Sequence, residues 1–88
     1  MNTEKTFADR LKELRNIRNY TQEELGKITN ISVQSIRRYE QGRLNEEPSA
    51  YNLLQLAKAL DVTPEYLLIG DNNMSDFTNE IKKRRTFA

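Results

Sequence analysis

The stretch TQEELGKITNISVQSIRRYEQG, residues 21–42, constrains the fold more than any other part of the chain. It opens with Thr21 and Glu24, which have the spacing of a capping box, a pair of side chains that bind backbone N–H groups at a helix start. Ser32 is a second capping residue, and Gly42 can adopt the left-handed conformation that ends many helices. Two short helices with three residues between them must cross and share a core. Both a helix-turn-helix and an ordinary corner of a helical bundle have this arrangement.

Caps and apolar spacing predict an all-α fold of five short helices around one core. No segment shows the alternation of apolar and polar residues that is typical of a strand. The predicted helices cover about residues 6–18, 22–29, 33–41 and 50–60, and a fifth starts at Pro64 and stops at Gly70. The first helix carries an apolar stripe that includes Ile17, and the second is expected to point Leu25 and Ile28 inward.

Length and composition limit the functions that the chain can have. Its 88 residues suffice for one domain, predicted to cover residues 1–70 and to be followed by a tail, residues 71–88, with a candidate short helix. The chain has no cysteine and no histidine, so it lacks the commonest zinc ligands and the usual general base of enzymes. We therefore expect no enzyme activity, no metal and no cofactor.

The sequence predicts a protein that is neither membrane-spanning nor exported. No apolar run reaches the roughly 18 residues that a membrane helix needs. The N-terminus, MNTEKTFADR, lacks the apolar core of an export signal. We therefore expect a cytoplasmic location and no membrane partner.

Charge is distributed unevenly along the chain, although the net charge is only +1. Residues 1–43 have a net charge of +3, whereas residues 44–70 have a net charge of −3. Such a division is typical of a protein with one side that faces an anion.

The third predicted helix has a more specific pattern of side chains. If Ile36 points to the core, a rotation of about 100° per residue puts Tyr39 and Glu40 near the inner side and Gln34 and Arg38 on the outer side. Arginine and glutamine are the side chains that read guanine and adenine edges in the major groove of DNA. The alternative is a merely solvated helix face, which more often mixes acids with bases.

Several anchors along residues 7–70 resemble the xenobiotic-response-element (XRE) family of helix-turn-helix regulators, which includes phage Cro and lambda-type repressors. The resemblance rests on the stretch quoted above and on LAKAL and TPEYLL further along the chain. It implies a compact five-helix, lambda-repressor-like DNA-binding domain. The chain departs from the usual family pattern at Gly26, where alanine is common, at Asn30, where glycine is common, and at the acidic pair Glu46–Glu47 after the third helix.

The resemblance also implies roles for individual residues. Base edges would be contacted by Val33, Gln34, Ser35, Arg37 and Arg38. Phosphates would be contacted by Thr21, Gln22 and Arg43. Arg15 and Glu40 would form a structural ion pair across the core.

Other interpretations stay open for several of these residues. Val33 could belong to the core, and Ser35 and Arg37 could hold phosphates instead of bases. Thr21 could serve as a helix cap alone. Gln22 could be solvated at the helix start, and Arg43 could pair with the dipole of the third helix. Arg10 and Arg18 of the first helix could add to the basic face, although solvation is the expected interpretation for each.

The expected function is that of a sequence-specific regulator, a repressor, of bacterial or phage origin that binds double-stranded DNA. Because one such domain buries little surface, we expect a homodimer on a palindromic operator. The alternative is an antitoxin-like module that binds a protein partner through its tail and also binds its operator. The tail has apolar residues and a basic run, IKKRR, so packing on the domain, dimer contact, DNA contact and solvation all remain open.

Overall fold

The computed structural model describes residues 5–42 and 47–70. These two ranges are all-α, with α1 at Phe7–Ile17, α2 at Gln22–Thr29, α3 at Val33–Gln41 and α4 at Ala50–Leu60. Residues 64–70 form a further helix, α5. The predicted five-helix class is thus confirmed. The tail and the predicted phosphate contact Arg43 lie outside the described residues.

The helices begin where the sequence supplies a cap. The capping box of α2 is present, because Thr21 Oγ1 accepts a hydrogen bond from the main-chain N of Glu24 at 3.0 Å and Glu24 Oε1 accepts one from the main-chain N of Thr21 at 2.8 Å. The hydroxyls of Ser32, Ser49 and Thr63 accept the equivalent bonds at the starts of α3, α4 and α5. Each cap satisfies an N–H group that a helix start leaves without a partner inside the helix.

The core lies where α1, α2, α3 and α4 meet. Its fully buried members are Leu11, Leu25, Ile36, Leu56, Leu60 and Leu67. The ring of Phe7 meets that of Tyr39 edge to face, with centroids 6.0 Å apart. The Tyr39 hydroxyl accepts a hydrogen bond from Asn52 Nδ2 at 3.1 Å, so α4 is tied to the inner side of α3.

Two apolar residues that were predicted to face the core lie on the surface instead. Ile17 is 67% exposed and Ile28 is 52% exposed. Ile17 is the last residue of α1. In α2 the inward positions belong to Leu25, Gly26 and Thr29, so Ile28 falls outside the contact area. No helix in the described ranges is both long enough and apolar enough to cross a membrane.

Candidate nucleic-acid interface

The turn between α2 and α3 is compact because Asn30 adopts an unusual backbone conformation and Ile31 is buried. Asn30 adopts the left-handed conformation, with φ at 60° and ψ at 34°, which asparagine tolerates better than most residues. Ile31 is buried, and its main-chain N donates to Gly26 O at 3.1 Å. A Cβ at Gly26 would lie 2.8 Å from Ile31 O and 3.7 Å from Ile36 Cδ1. The absence of a side chain at Gly26 therefore lets the turn pack directly on α2.

We expect Gly26→Val to lower the free energy of unfolding by about 1–3 kcal/mol, because the new side chain overlaps a main-chain carbonyl that has no rotamer to change. The loss should exceed that of Lys27→Val, which places the same side chain on the exposed neighbouring position of α2. Urea denaturation followed by circular dichroism measures both. Equal losses would mean that the close approach does not constrain the turn.

Helix α3 has distinct inner and outer faces. Ile36 is fully buried, and Tyr39 and Glu40 are buried beside it. Gln34 and Arg38 are exposed on the other side. The remaining residues that were predicted to contact bases differ in exposure: Arg37 is exposed, whereas Val33 and Ser35 are half-buried. The structure therefore brings these five side chains together on one short helix, with the amide and guanidinium groups of the outer face accessible.

The acid of α3, Glu40, is buried and paired with Arg15 of α1. Arg15 Nε donates to Glu40 Oε2 at 2.7 Å, and Nη2 donates to Oε1 at 3.1 Å. The Glu40 side chain is only 3% exposed and that of Arg15 is 13% exposed. The hydrogen bond to Glu40 raises the pKa of Arg15 above its ordinary value, so the guanidinium keeps its charge throughout the physiological pH range. The carboxylate of Glu40 is thus neutralised inside the domain and leaves the outer face of α3 cationic.

The start of α2 is connected to the same ion pair. Gln22 Nε2 donates to Glu40 Oε1 at 3.1 Å, so one of its two amide hydrogens has an internal acceptor. Thr21 Oγ1 is engaged as the cap of α2. Both residues lie at the N-terminal end of α2, where main-chain N–H groups and the helix dipole favour a phosphate.

Arg37 and Ser35 each contact a neighbouring side chain. Arg37 Nη2 donates to Glu23 Oε2 of α2 at 3.2 Å in an exposed ion pair. Ser35 Oγ accepts from Ser32 Oγ at 3.0 Å. The contact with Glu23 places the Arg37 guanidinium on the flank of α3 that faces α2.

Arg10 was predicted to be solvated, and this prediction is wrong. The residue is only 6% exposed. Its guanidinium donates to three main-chain carbonyl oxygens, at Lys5, Leu67 and Leu68. No local pattern in the sequence signals this arrangement, because two of the acceptors lie more than 50 residues away along the chain.

A family model described as helix-turn-helix matches residues 11–67 of the chain. This range contains α2, the turn and α3, and it covers well over half of the 88 residues. The chain belongs to the helix-turn-helix family. The resemblance to XRE-type regulators that the sequence indicated is thereby confirmed.

Individual relatives agree with this assignment. Over 71 residues the chain is 39% identical to the repressor protein C2 of Salmonella phage P22, covering 81% of this chain and 32% of that protein. Over 68 residues it is 34% identical to the helix-turn-helix transcriptional regulator DicA of Escherichia coli K12, covering 77% of this chain and 49% of that protein. The chain thus spans less than half the length of either relative.

The fold also resembles solved structures. The crystal structure of the P22 c2 repressor in complex with a synthetic operator superposes with a TM-score of 0.72 at 35% sequence identity. The similarity covers 77% of this chain and 100% of that chain. A lambda-repressor-like arrangement of the helices, as the sequence predicted, is therefore confirmed.

Proposed function

We propose that the chain is a sequence-specific transcriptional regulator, a repressor, that binds double-stranded DNA with α3 in the major groove. One observation carries the proposal. The outer face of α3 exposes Gln34 and Arg38 and its flank exposes Arg37, while Glu40 is buried against Arg15. A face with guanidinium and amide groups and no exposed acid is complementary to base edges and phosphates. The similarity to a repressor that is known in complex with operator DNA supports the same function.

Within this proposal some residues contact base edges and others contact phosphates. Gln34 and Arg38 read base edges, and Val33, half-buried in the first turn of α3, contacts a thymine methyl group. Thr21 and Gln22 bring the N-terminal end of α2 to a phosphate. Arg43, Ser35 and Arg37 contribute further contacts around the groove. Because bases specify and phosphates position, changes in the two groups should have different effects.

A second copy of the chain completes the proposed regulator. One domain of this size buries too little surface for tight binding, and two-fold dimers read half-sites about 34 Å apart. Apolar residues that could meet a second copy are exposed on α4, where Tyr51 is 61% and Leu54 is 50% exposed, three residues apart and so on one helix face. The described residues 47–70 also carry three acids and one base, and this net negative charge keeps their side away from phosphates.

We expect Arg38→Ala to lower affinity for the preferred duplex by about 10- to 100-fold, because one bidentate base contact is lost, and to leave scrambled duplexes nearly unchanged. Gln22→Ala should weaken binding to both duplexes alike. The preferred duplex is first obtained by selection from random sequences, and anisotropy titrations then give the affinities. Lys12→Ala, which removes an exposed cation of α1, is the control and should change neither affinity.

Two results would contradict the proposal. The first is equal affinity of the unmodified protein for selected and scrambled duplexes. The second is a specific loss for Lys12→Ala as large as that for Arg38→Ala. A cytoplasmic, non-enzymatic mode of action is part of the same proposal, and co-purification from the native host tests whether a protein partner binds as well.

A further inference from the structure

Glu23 is an exposed acid beside the surface that is proposed to bind DNA. It lies in the first turn of α2, directly after Gln22, which is proposed to approach a phosphate. An acid near a phosphate weakens binding through like-charge repulsion. The dipole of α2 favours a negative charge at this end of the helix, so stabilisation of α2 is one explanation for Glu23. The contacts of its carboxylate point to a further role.

The acids of α2 and α3 differ in what their carboxylates contact. Glu24 closes the capping box of α2, and Glu40 is buried against Arg15. Glu23 Oε2 instead accepts a hydrogen bond from Nη2 of Arg37, across the boundary between α2 and α3, at 3.2 Å. Glu23 is thus the acid of these two helices that binds a candidate DNA contact.

The two ion pairs of this region differ in how easily a new partner can replace the old one. The Arg15–Glu40 pair is buried and has two hydrogen bonds, and its opening would leave a charge without a partner inside the domain. In the other pair the side chains of Glu23 and Arg37 are 63% and 48% exposed, and exposed pairs contribute little stability. A phosphate can bind arginine through two charge-assisted hydrogen bonds. A phosphate can therefore replace Glu23 as the partner of Arg37.

Glu23 has a second cation within reach along its own helix. Lys27 is exposed and lies four residues further on, the spacing at which glutamate and lysine pair on a helix surface. The structure nevertheless pairs Glu23 with Arg37 of the neighbouring helix. The charge of Glu23 is thus coupled to the helix that is proposed to enter the groove.

We propose that Glu23 competes with DNA phosphates for Arg37 and so limits the affinity of the domain for DNA of any sequence. In the free domain the Arg37 guanidinium is bound to Glu23. On DNA it changes partner, and the loss of the ion pair offsets part of the gain from the phosphate. The inference rests on the DNA binding of the proposed function and adds a residue that opposes it. Because phosphates carry no sequence information, the competition lowers the affinities for selected and scrambled duplexes alike.

Anisotropy titrations of Glu23→Gln in the full chain test the competition. We expect the affinities for the selected and the scrambled duplex to rise together by about 2- to 5-fold, the factor that corresponds to one exposed ion pair. Circular dichroism first shows that each variant is folded. Glu13→Gln makes the same substitution in an exposed pair of α1, where Lys5 Nζ lies 2.8 Å from Glu13 Oε1, and should change neither affinity. Equal gains for the two variants would mean that net charge alone matters, and the proposal would fail.

The same substitution in an Arg37→Gln background separates competition from repulsion between Glu23 and DNA. Repulsion alone would give Glu23→Gln the same gain with or without Arg37. Competition predicts a gain that is smaller by at least about 2-fold when Arg37 is absent. An equal gain in the two backgrounds would contradict the proposal. A larger gain without Arg37 would contradict it too, since Arg37 would then shield Glu23 in the complex instead of leaving it.

The two duplexes distinguish a failure of this inference from a failure of the proposed function. A gain confined to the selected duplex would mean that the released Arg37 binds a base edge, which would overturn competition with phosphates. Equal affinities of the unmodified protein for both duplexes would refute sequence-specific reading, whereas the predicted coupling between Glu23 and Arg37 would still support the competition. A protein that binds neither duplex would refute both.

Discussion

Replacing Arg15 with alanine is expected to lower the free energy of unfolding by about 3–5 kcal/mol, because the change leaves the buried Glu40 carboxylate without its counter-charge. Glu40 is 3% exposed and would keep only the hydrogen bond from Gln22 as a side-chain partner. Small domains have a total unfolding free energy of about 5–15 kcal/mol. The variant should therefore lose a large share of its stability and unfold at a markedly lower urea concentration than the unmodified protein, as urea denaturation followed by circular dichroism would show.

Two further variants test whether the loss of stability comes from leaving the buried Glu40 carboxylate without a partner. Arg15→Met combined with Glu40→Leu removes both ions and should recover most of the lost stability, since apolar residues can replace a buried pair at little cost. Arg18→Ala breaks an exposed pair with Asp61, whose side chains are 43% and 83% exposed, and should cost less than about 1 kcal/mol. Similar losses for Arg15→Ala and Arg18→Ala would refute the view that Glu40 depends on Arg15.

The helix starts could be predicted from the sequence because their signals are local. Thr21 and Glu24 bond to each other's main-chain N–H across three residues. Ser32 and Ser49 likewise bond three residues ahead. An interaction confined to one turn depends only on the order of residues, so it can be recognised before the fold is known. The same holds for Asn30, whose left-handed conformation closes α2.

The residues that the sequence misplaced depend on contacts between distant segments. Ile28 continues the apolar spacing of α2 and is nevertheless 52% exposed. Periodicity predicts which face of a helix points inward, but not how much of that face the neighbouring helices cover. From its position in α1, Arg10 is expected to be solvated, but in the folded chain α5 supplies two main-chain carbonyl acceptors for its guanidinium. Such long-range partners cannot be deduced from spacing within one helix.

The sequence also predicts which residues of the candidate site lie on the outer face of α3. Once Ile36 points inward, helical geometry alone puts Gln34 and Arg38 outside, and the structure has this arrangement. The contacts between elements were not predictable. The hydrogen bond from Gln22 to Glu40 and the ion pair of Arg37 with Glu23 depend on how α2 and α3 cross. The individual roles of these residues in DNA binding remain predictions.

Ile36→Ala is expected to lower the free energy of unfolding by about 2–5 kcal/mol, because Ile36 is fully buried and its removal leaves a cavity. The same variant should keep its base preference under conditions where it is folded, since Gln34 and Arg38 occupy the opposite face of α3. Arg38→Ala is the matched change on the outer face and should alter preference while the unfolding free energy changes little.

Thermal unfolding and anisotropy titration of the same two proteins test this division of α3. The folded fraction of each protein is first measured without DNA, and the titration is then run at low temperature. A smaller folded fraction is thus not mistaken for weaker binding to base edges. For Ile36→Ala, the ratio of affinities for selected and scrambled duplexes should match that of the unmodified protein. A changed ratio for Ile36→Ala with unchanged stability would mean that the inner face also specifies sequence. The assignment of reading to the outer face would then be wrong.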